Sequence, residues 1–294
     1  MGADAPRLQS SLDRLDEVLS TAAPDIFRAL RPGLKRREID DSFAELPFDV
    51  PGAVRTLYRW HDGADLVNGP ERAELFPNAQ MLPLADMIRA RSEILEANEA
   101  TGYGLWDPRW LPLFVGYKWS FWVIDCGEPN GAVKVFDWVD LPVTWTAYRD
   151  LDDLAVRVLR CWSEGAYKQG SHGAVDEDRH RSAAINRSLD DSSVDVDQLI
   201  SDLTIGSGQQ YSDALAQLRT RLYLEAVSGL IKLMESGSRG RIAAAELLGW
   251  IGGDAALTCL EQIGETETDD HIRQHARHAL QDAKLRAIWD SESR

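Results

Sequence analysis

The hydrophobic period of this chain changes once, and that change limits the architectures open to it. Up to about residue 165, helical stripes alternate with short runs that read as strands. From about residue 194 onward every periodic segment is helical. A chain of 294 residues accommodates two domains, and an apolar share of 44% lets each bury a core. The expected fold is an α+β N-terminal domain, an antiparallel sheet packed with helices, over residues 1–165. A flexible acidic linker over 166–193 and an all-α helical-repeat domain over 194–294 follow it.

Leu8, Leu12, Leu15, Val18 and Leu19 share one face of a helix within residues 8–30, and Arg31-Pro32-Gly33 stops it. Asp49 is placed to cap a second helix, with Pro51 in its first turn and Gly63 as its left-handed end. Leu84, Met87, Ile88, Ile94 and Leu95 mark a third helix over 84–100. Residues 120–125 and 132–138 are strands by composition. The turn Glu128-Pro129-Asn130-Gly131 between them is too short for any but an antiparallel pair. Leu151, Leu154, Val158, Cys161 and Trp162 give a capped helix behind Asp150. Residues 165–193 hold many Gly, Ser and Asp and few large apolar groups, which offset little ordering entropy.

Within the helical region, a pair of segments aligns at an offset of 32 residues. Arg241, Ala244, Leu247 and Leu248 correspond to Arg273, Ala276, Ala279 and Leu280. A weaker pair lies around 212–222 and 225–235. Asp254, after Gly252-Gly253, is placed to cap the next helix. Paired helices recurring at this length indicate an α-solenoid.

The net charge of −16 is spread over the whole chain: 27 acids face 18 bases in residues 1–165, and 21 face 14 in residues 166–294. Such a chain is not expected to bind nucleic acid or an anionic membrane, because phosphates demand clustered Lys and Arg. It suits a basic protein partner through long-range steering. No run of 18 apolar residues offers a membrane span, and the N-terminus lacks a basic region followed by an apolar run, so a cytoplasmic protein is expected. Cys126, Cys161 and Cys259 form no C-x-x-C pair, which argues against a disulfide framework or a zinc site. Cys161 and Cys259 are expected to be small core residues.

No catalytic site and no cofactor are expected. His61 lacks a nucleophile motif and is expected to serve locally at a helix end. Asp40-Asp41 and Asp152-Asp153 are adjacent on helices and so do not face each other as an acid–base pair. His271, His275 and His278 share a helix face, but no Glu follows His271 as in H-E-x-x-H. Solvated histidines, without a metal, are the expectation there.

A series of local patterns carries a family resemblance over residues 8–165. Leu46-Pro47 precedes a helix that ends at Leu57-Tyr58 and His61-Asp62-Gly63. Trp110-Leu111-Pro112-Leu113-Phe114 leads into the sheet, Asp125 and Gly131-Ala132-Val133 mark its hairpin, and Leu151-Asp152-Asp153-Leu154 begins the last helix. In this order the patterns resemble the SUKH superfamily of fungal cell-wall synthesis regulators and bacterial toxin-immunity proteins. The family differs in having a polar turn where this chain has Val115-Gly116-Tyr117-Lys118-Trp119. The Arg-x-x-Ala-x-x-small-Leu series of the helical region resembles short HEAT repeats.

The resemblance implies an immunity-type protein that neutralises a toxin by direct binding. A nuclease-type toxin must be basic to hold its substrate, and an acidic inhibitor is steered to it. The alternative is an intracellular scaffold or regulator acting through the repeats. Tryptophans cluster between Trp106 and Trp145 and supply the anchors favoured at protein interfaces. Trp119, Trp138 and Trp145, with Asp125, Asp137 and Asp140 beside them, are the candidate partner-binding residues.

Overall fold

Leucines three and four apart build the first helix, α1 (Ala5–Ala22), in which Leu8, Leu12, Leu15 and Leu19 are all buried. Burying each is worth about 2 kcal/mol. The structure, a computed structural model, describes residues 5–65, 72–102, 104, 106–116, 120–128, 131–137, 143–190, 194–206, 208–221, 223–236 and 240–292. It divides into two units, Met1–Ile185 and Asn186–Arg294.

In the first unit the chain pauses at Ala23 and resumes as α2 (Pro24–Ala29), with proline at the position that has no partner for an N–H. The Arg31-Pro32 stop is more than a stop, because β1 (Leu30–Pro32) pairs antiparallel with β2 (His61–Ala64). Between them run α3 (Arg36–Phe43) and α4 (Gly52–Trp60). The expectations for α4 need two corrections. It begins after Pro51 with no side-chain cap, so Asp49 stands outside it. It ends at His61 in extended conformation, not at Gly63. Gly63 sits in β2 at φ +71°, where a Cβ would lie 2.3 Å from the Pro83 nitrogen. Close backbone approach, not helix termination, explains that glycine.

Strands β3 (Glu74–Phe76) and β4 (Ala79–Met81) form a hairpin and lead to α5 (Leu84–Thr101), closed by left-handed Gly102. Then come β5 (Trp110–Val115), β6 (Phe121–Asp125), β7 (Val133–Asp137) and β8 (Val143–Tyr148). The six strands β3 to β8 lie in chain order, each antiparallel to the next. The β6–β7 pairing is the one expected, with Val123 opposite Lys134. Trp106, Trp110, Phe121, Val123 and Phe136 form a buried cluster, and Ile94 and Leu95 of α5 pack onto it. Helix α6 (Leu151–Ser163) starts as expected, with Asp150 accepting the Asp153 N–H at 2.7 Å. It packs against α1.

The expected linker carries regular structure over most of its length. Strands β9 (Tyr167–Gln169) and β10 (Val175–Glu177) form an antiparallel hairpin around a 3-10 turn, and α7 (Arg179–Ser188) follows. The hairpin is tied to distant segments of its own unit. The Gln169 amide accepts the Asp25 N–H at 2.9 Å and donates to its carboxylate at 2.7 Å. The Val175 N–H donates to Glu74 at 3.1 Å, and the Arg72 N–H to the His172 carbonyl at 3.0 Å. Tyr167, Val175, Ala183 and Ile185 are buried. Composition misleads here because the segment borrows a core built elsewhere. Residues 191–193 lie outside the described residues.

The second unit is all helical: α8 (Val196–Ile205), α9 (Gly208–Arg221), α10 (Ala226–Glu235), α11 (Arg241–Ile251), α12 (Asp254–Thr266) and α13 (Asp270–Glu292). Helices α9, α11 and α13 are side by side in one layer, and α8, α10 and α12 in the other. The segments related by 32 residues are α11 and α13, which pack directly on each other. Small residues allow this. Ala243, Ala244 and Ala245 are buried, and a Cβ on Gly249 would sit 2.7 Å from the Ala279 carbonyl oxygen. Asp254 does not cap α12; Gly253, at φ +88°, holds the capping position.

Candidate protein-binding surface

The candidate residues of the sheet fall into three groups. Trp119, Trp138 and Asp140 lie outside the described residues. Asp137 and Trp145 are placed by backbone pairing, Asp137 opposite Val143 and Val135 opposite Trp145. Asp125 is buried at the end of β6. Its carboxylate accepts Lys134 Nζ at 2.8 Å and the Gly127 N–H at 2.8 Å. Lys134 also reaches Glu128 at 2.9 Å and stands 5.8 Å from the Trp110 ring. Burial alone would raise the Asp125 carboxyl, but the Lys134 and Gly127 bonds outweigh it and leave it below the ordinary carboxylate range. Burial would likewise lower Lys134, and its two carboxylate partners hold it above the usual lysine value. This acid therefore fastens the β6–β7 hairpin from within.

His61 has a local role, though not with the end of its own helix. Its Nδ1 is 2.8 Å from the Arg31 carbonyl oxygen and its Nε2 is 3.1 Å from Asp16. It thus links β2 to β1 and α1, with the Trp60 and Phe27 rings edge-on to it. Asp153, expected as a helix-start charge, is in addition buried against Arg157. Cys161 is buried and Cys259 half-buried. Burial pushes the thiols of Cys126 and Cys161 up to about 12, so neither is a thiolate at neutral pH.

In the second unit, the residues that mark the repeat also join its turns. The Arg241 guanidinium donates to the Met234 carbonyl at the end of α10 and to the Glu267 carboxylate beyond α12. Arg273 donates to the Glu267 carbonyl at 2.6 Å. These contacts satisfy carbonyls that helix ends leave open. Glu267, ordinarily near 4.5, is held down to about 2 by the Asp269 N–H first and by Arg241 next. A depressed carboxyl stabilises the fold above its unfolded value and stops doing so as pH falls through its folded value. The melting temperature of the second unit should therefore drop between about pH 4.5 and pH 2, and Glu267→Gln should flatten that stretch of the profile. Parallel profiles for the two proteins would sink this assignment.

The two helical layers differ in charge. Helices α8, α10 and α12 carry Asp197, Asp202, Glu235, Asp254, Glu261 and Glu265 against Lys232. All but Asp202 of these acids are exposed. On α9, α11 and α13, bases such as Arg219, Arg221, Arg241, Arg273 and Arg277 balance the acids. That layer also holds Trp250, whose ring faces the Arg219 guanidinium at 4.5 Å and whose N–H meets the Arg219 carbonyl at 2.9 Å. His271 and His275 are edge-to-face at 4.7 Å, and His275 Nδ1 is 3.6 Å from Glu246. Among the described residues no group of three or more His, Cys, Asp or Glu is arranged to hold a metal.

Charge summed over a whole domain hides this acidic layer. Counting charge helix by helix, with alternate helices grouped, exposes it. Among the described residues no helix is long and apolar enough to cross a membrane. No curated protein matches the chain. Residues 209–281, spanning α9 to the first half of α13, match the family model for HEAT repeats, and the second unit is accordingly a helical-repeat module suited to protein contacts.

Proposed function

We propose that this protein is an immunity-type binding protein that captures a basic partner, of the nuclease-toxin class, on the α8/α10/α12 layer of its repeats. The charge contrast between the two layers carries the reading. One layer presents carboxylates with Lys232 as the basic residue among them, while the other is balanced. A surface of one sign steers an oppositely charged protein and sets its orientation on arrival. The toxin class comes from the SUKH resemblance of the first unit. The proposal assigns no catalytic step and no cofactor. The segment around Asp137 and Trp145 is kept as a second contact. Asp125 supports that segment from inside and does not itself reach the partner.

The test begins by isolating the complex from the native host and purifying the bound partner. Glu235→Lys, Glu261→Lys and Glu265→Lys are then combined. The triple variant should bind the partner about a hundredfold more weakly in low salt, with a flatter salt dependence. Circular dichroism should show unchanged helix content. A partner that is not basic, or an affinity unmoved by the triple change, would overturn the reading. A basic partner that is harmless to cells lacking this protein would instead support the scaffold function.

A further inference from the structure

The outward face of α13 changes character along its length. Ala276, Ala279 and Ala283 are buried and mark the face that packs on neighbouring helices. The opposite face carries His271, Gln274, His278 and Gln281, all exposed, over its first three turns. That face then continues as Leu285, Ile288 and Trp289, spaced i, i+3 and i+4. Leu285 is 48% exposed. A lone exposed leucine needs no explanation, but an apolar stripe that begins where a polar face stops does. The stripe also lies beyond α11. Gly249 crosses Ala279 two residues before α11 ends at Ile251, whereas α13 runs on to Glu292.

Charge around the stripe is ordered as well. Lys284 and Arg286 precede Ile288, and Asp290 and Glu292 follow it. Each base has an acid equally far on the other side: Arg286 and Asp290 stand two residues from Ile288, Lys284 and Glu292 four. Lys284 also meets Glu261 of α12 at 3.5 Å, but both side chains are more than half exposed, and such a pair holds loosely. A partner of one sign would meet like charge on half of this surface. A parallel copy of the helix would meet like charge along all of it. An antiparallel copy meets opposite charge on both halves.

We infer that this face of α13 pairs with the same face of a second copy of the chain, antiparallel about a twofold axis at Ile288. Arg286 then faces Asp290 of the second copy and Lys284 faces its Glu292, and each pair occurs twice because the interface is isologous. Leu285 packs beside Trp289 across the axis. The contact is only about two turns long, so the dimer is weak and exchanging. It depends neither on a toxin partner nor on the acidic α8/α10/α12 layer.

Sedimentation equilibrium of the full chain measures the dimer, whose Kd is expected at about 50 µM. Lys284→Glu combined with Arg286→Glu places like charges at all four pairs and should weaken dimerisation at least about tenfold. Asp290→Lys combined with Glu292→Lys should do the same. All four changes in one chain restore opposite charges across the axis and should return the parent affinity. None of the four positions belongs to the packed face marked by Ala279 and Ala283, so the fold is retained, and circular dichroism should show parental helix content. A chain still monomeric at about 500 µM, ten times the expected Kd, would overturn the proposal. So would double variants that dimerise like the parent, or a quadruple variant no tighter than the doubles.

Discussion

Replacing Arg157 with methionine should lower the stability of the first unit by about 3 kcal/mol. The Arg157 side chain is 4% exposed and its Nε lies 2.9 Å from Asp153, which is itself 8% exposed. Methionine fills much of the volume but leaves Asp153 charged inside the protein. Among the described residues its other side-chain contacts are the Arg149 N–H at 3.3 Å and the largely exposed Arg149 guanidinium at 3.5 Å. Neither replaces a guanidinium that is fully out of water. The cost comes from the orphaned carboxylate and not from the loss of an intrinsically favourable pair. Changing Asp153 to leucine in the same protein should therefore recover most of the loss. Urea unfolding followed by the tryptophan emission of the sheet measures both variants. A single variant within 1 kcal/mol of the parent, or a double variant worse than the single, would contradict this account.

Gly249→Val should loosen the repeat stack by a similar amount, about 3 kcal/mol. Its new Cβ would meet the Ala279 carbonyl oxygen at 2.7 Å and the Ala279 Cβ at 2.8 Å. The first of these is backbone, so no rotamer change relieves it, and α11 and α13 must separate. Gly249→Ala decides which effect is larger. Alanine gains about 1 kcal/mol of helix propensity over glycine, and only the clash can make the substitution destabilising. A lower melting temperature for Gly249→Ala would show that the close crossing outweighs propensity. A higher one would show that the helices can separate cheaply.

How much of the fold and the site is legible in the sequence depends on the range of the interaction that decides each element. Residues that repeat within one element are clear. The leucine period marks α1, Leu84 to Leu95 mark α5, and Asp150 with its apolar stripe marks α6. The β6–β7 hairpin is clear because its turn is short. The β1–β2 pair is not, because it joins two very short strands about thirty residues apart, below the reach of any periodicity. Asp49 and Asp254 look like caps by type and position, but the backbone beside each turns at Pro51 and Gly253 instead. Lys134 is within reach. The hairpin register sets it diagonal to Asp125 on the same face, where an ion pair is expected. Reading that pair moves Asp125 from the contact residues to the hairpin's interior supports. Glu267 cannot be found this way, since its partner Arg241 is 26 residues away across a helix pair.

The β9–β10 hairpin has a consequence for how this protein is made. Gln169 answers Asp25 across 144 residues, and Val175 answers Glu74 across 101. A ribosome releases the chain from its N-terminus, so α1, α2 and the early strands emerge well before the segment that stitches them together. Until that segment clears the exit tunnel, the Asp25 N–H lacks its Gln169 partner, and the Glu74 carboxylate has the nearby Asn78 N–H and Arg72 but not the Val175 N–H. The nascent first unit must wait for its last stitches, and the helical repeats are being synthesised while it does.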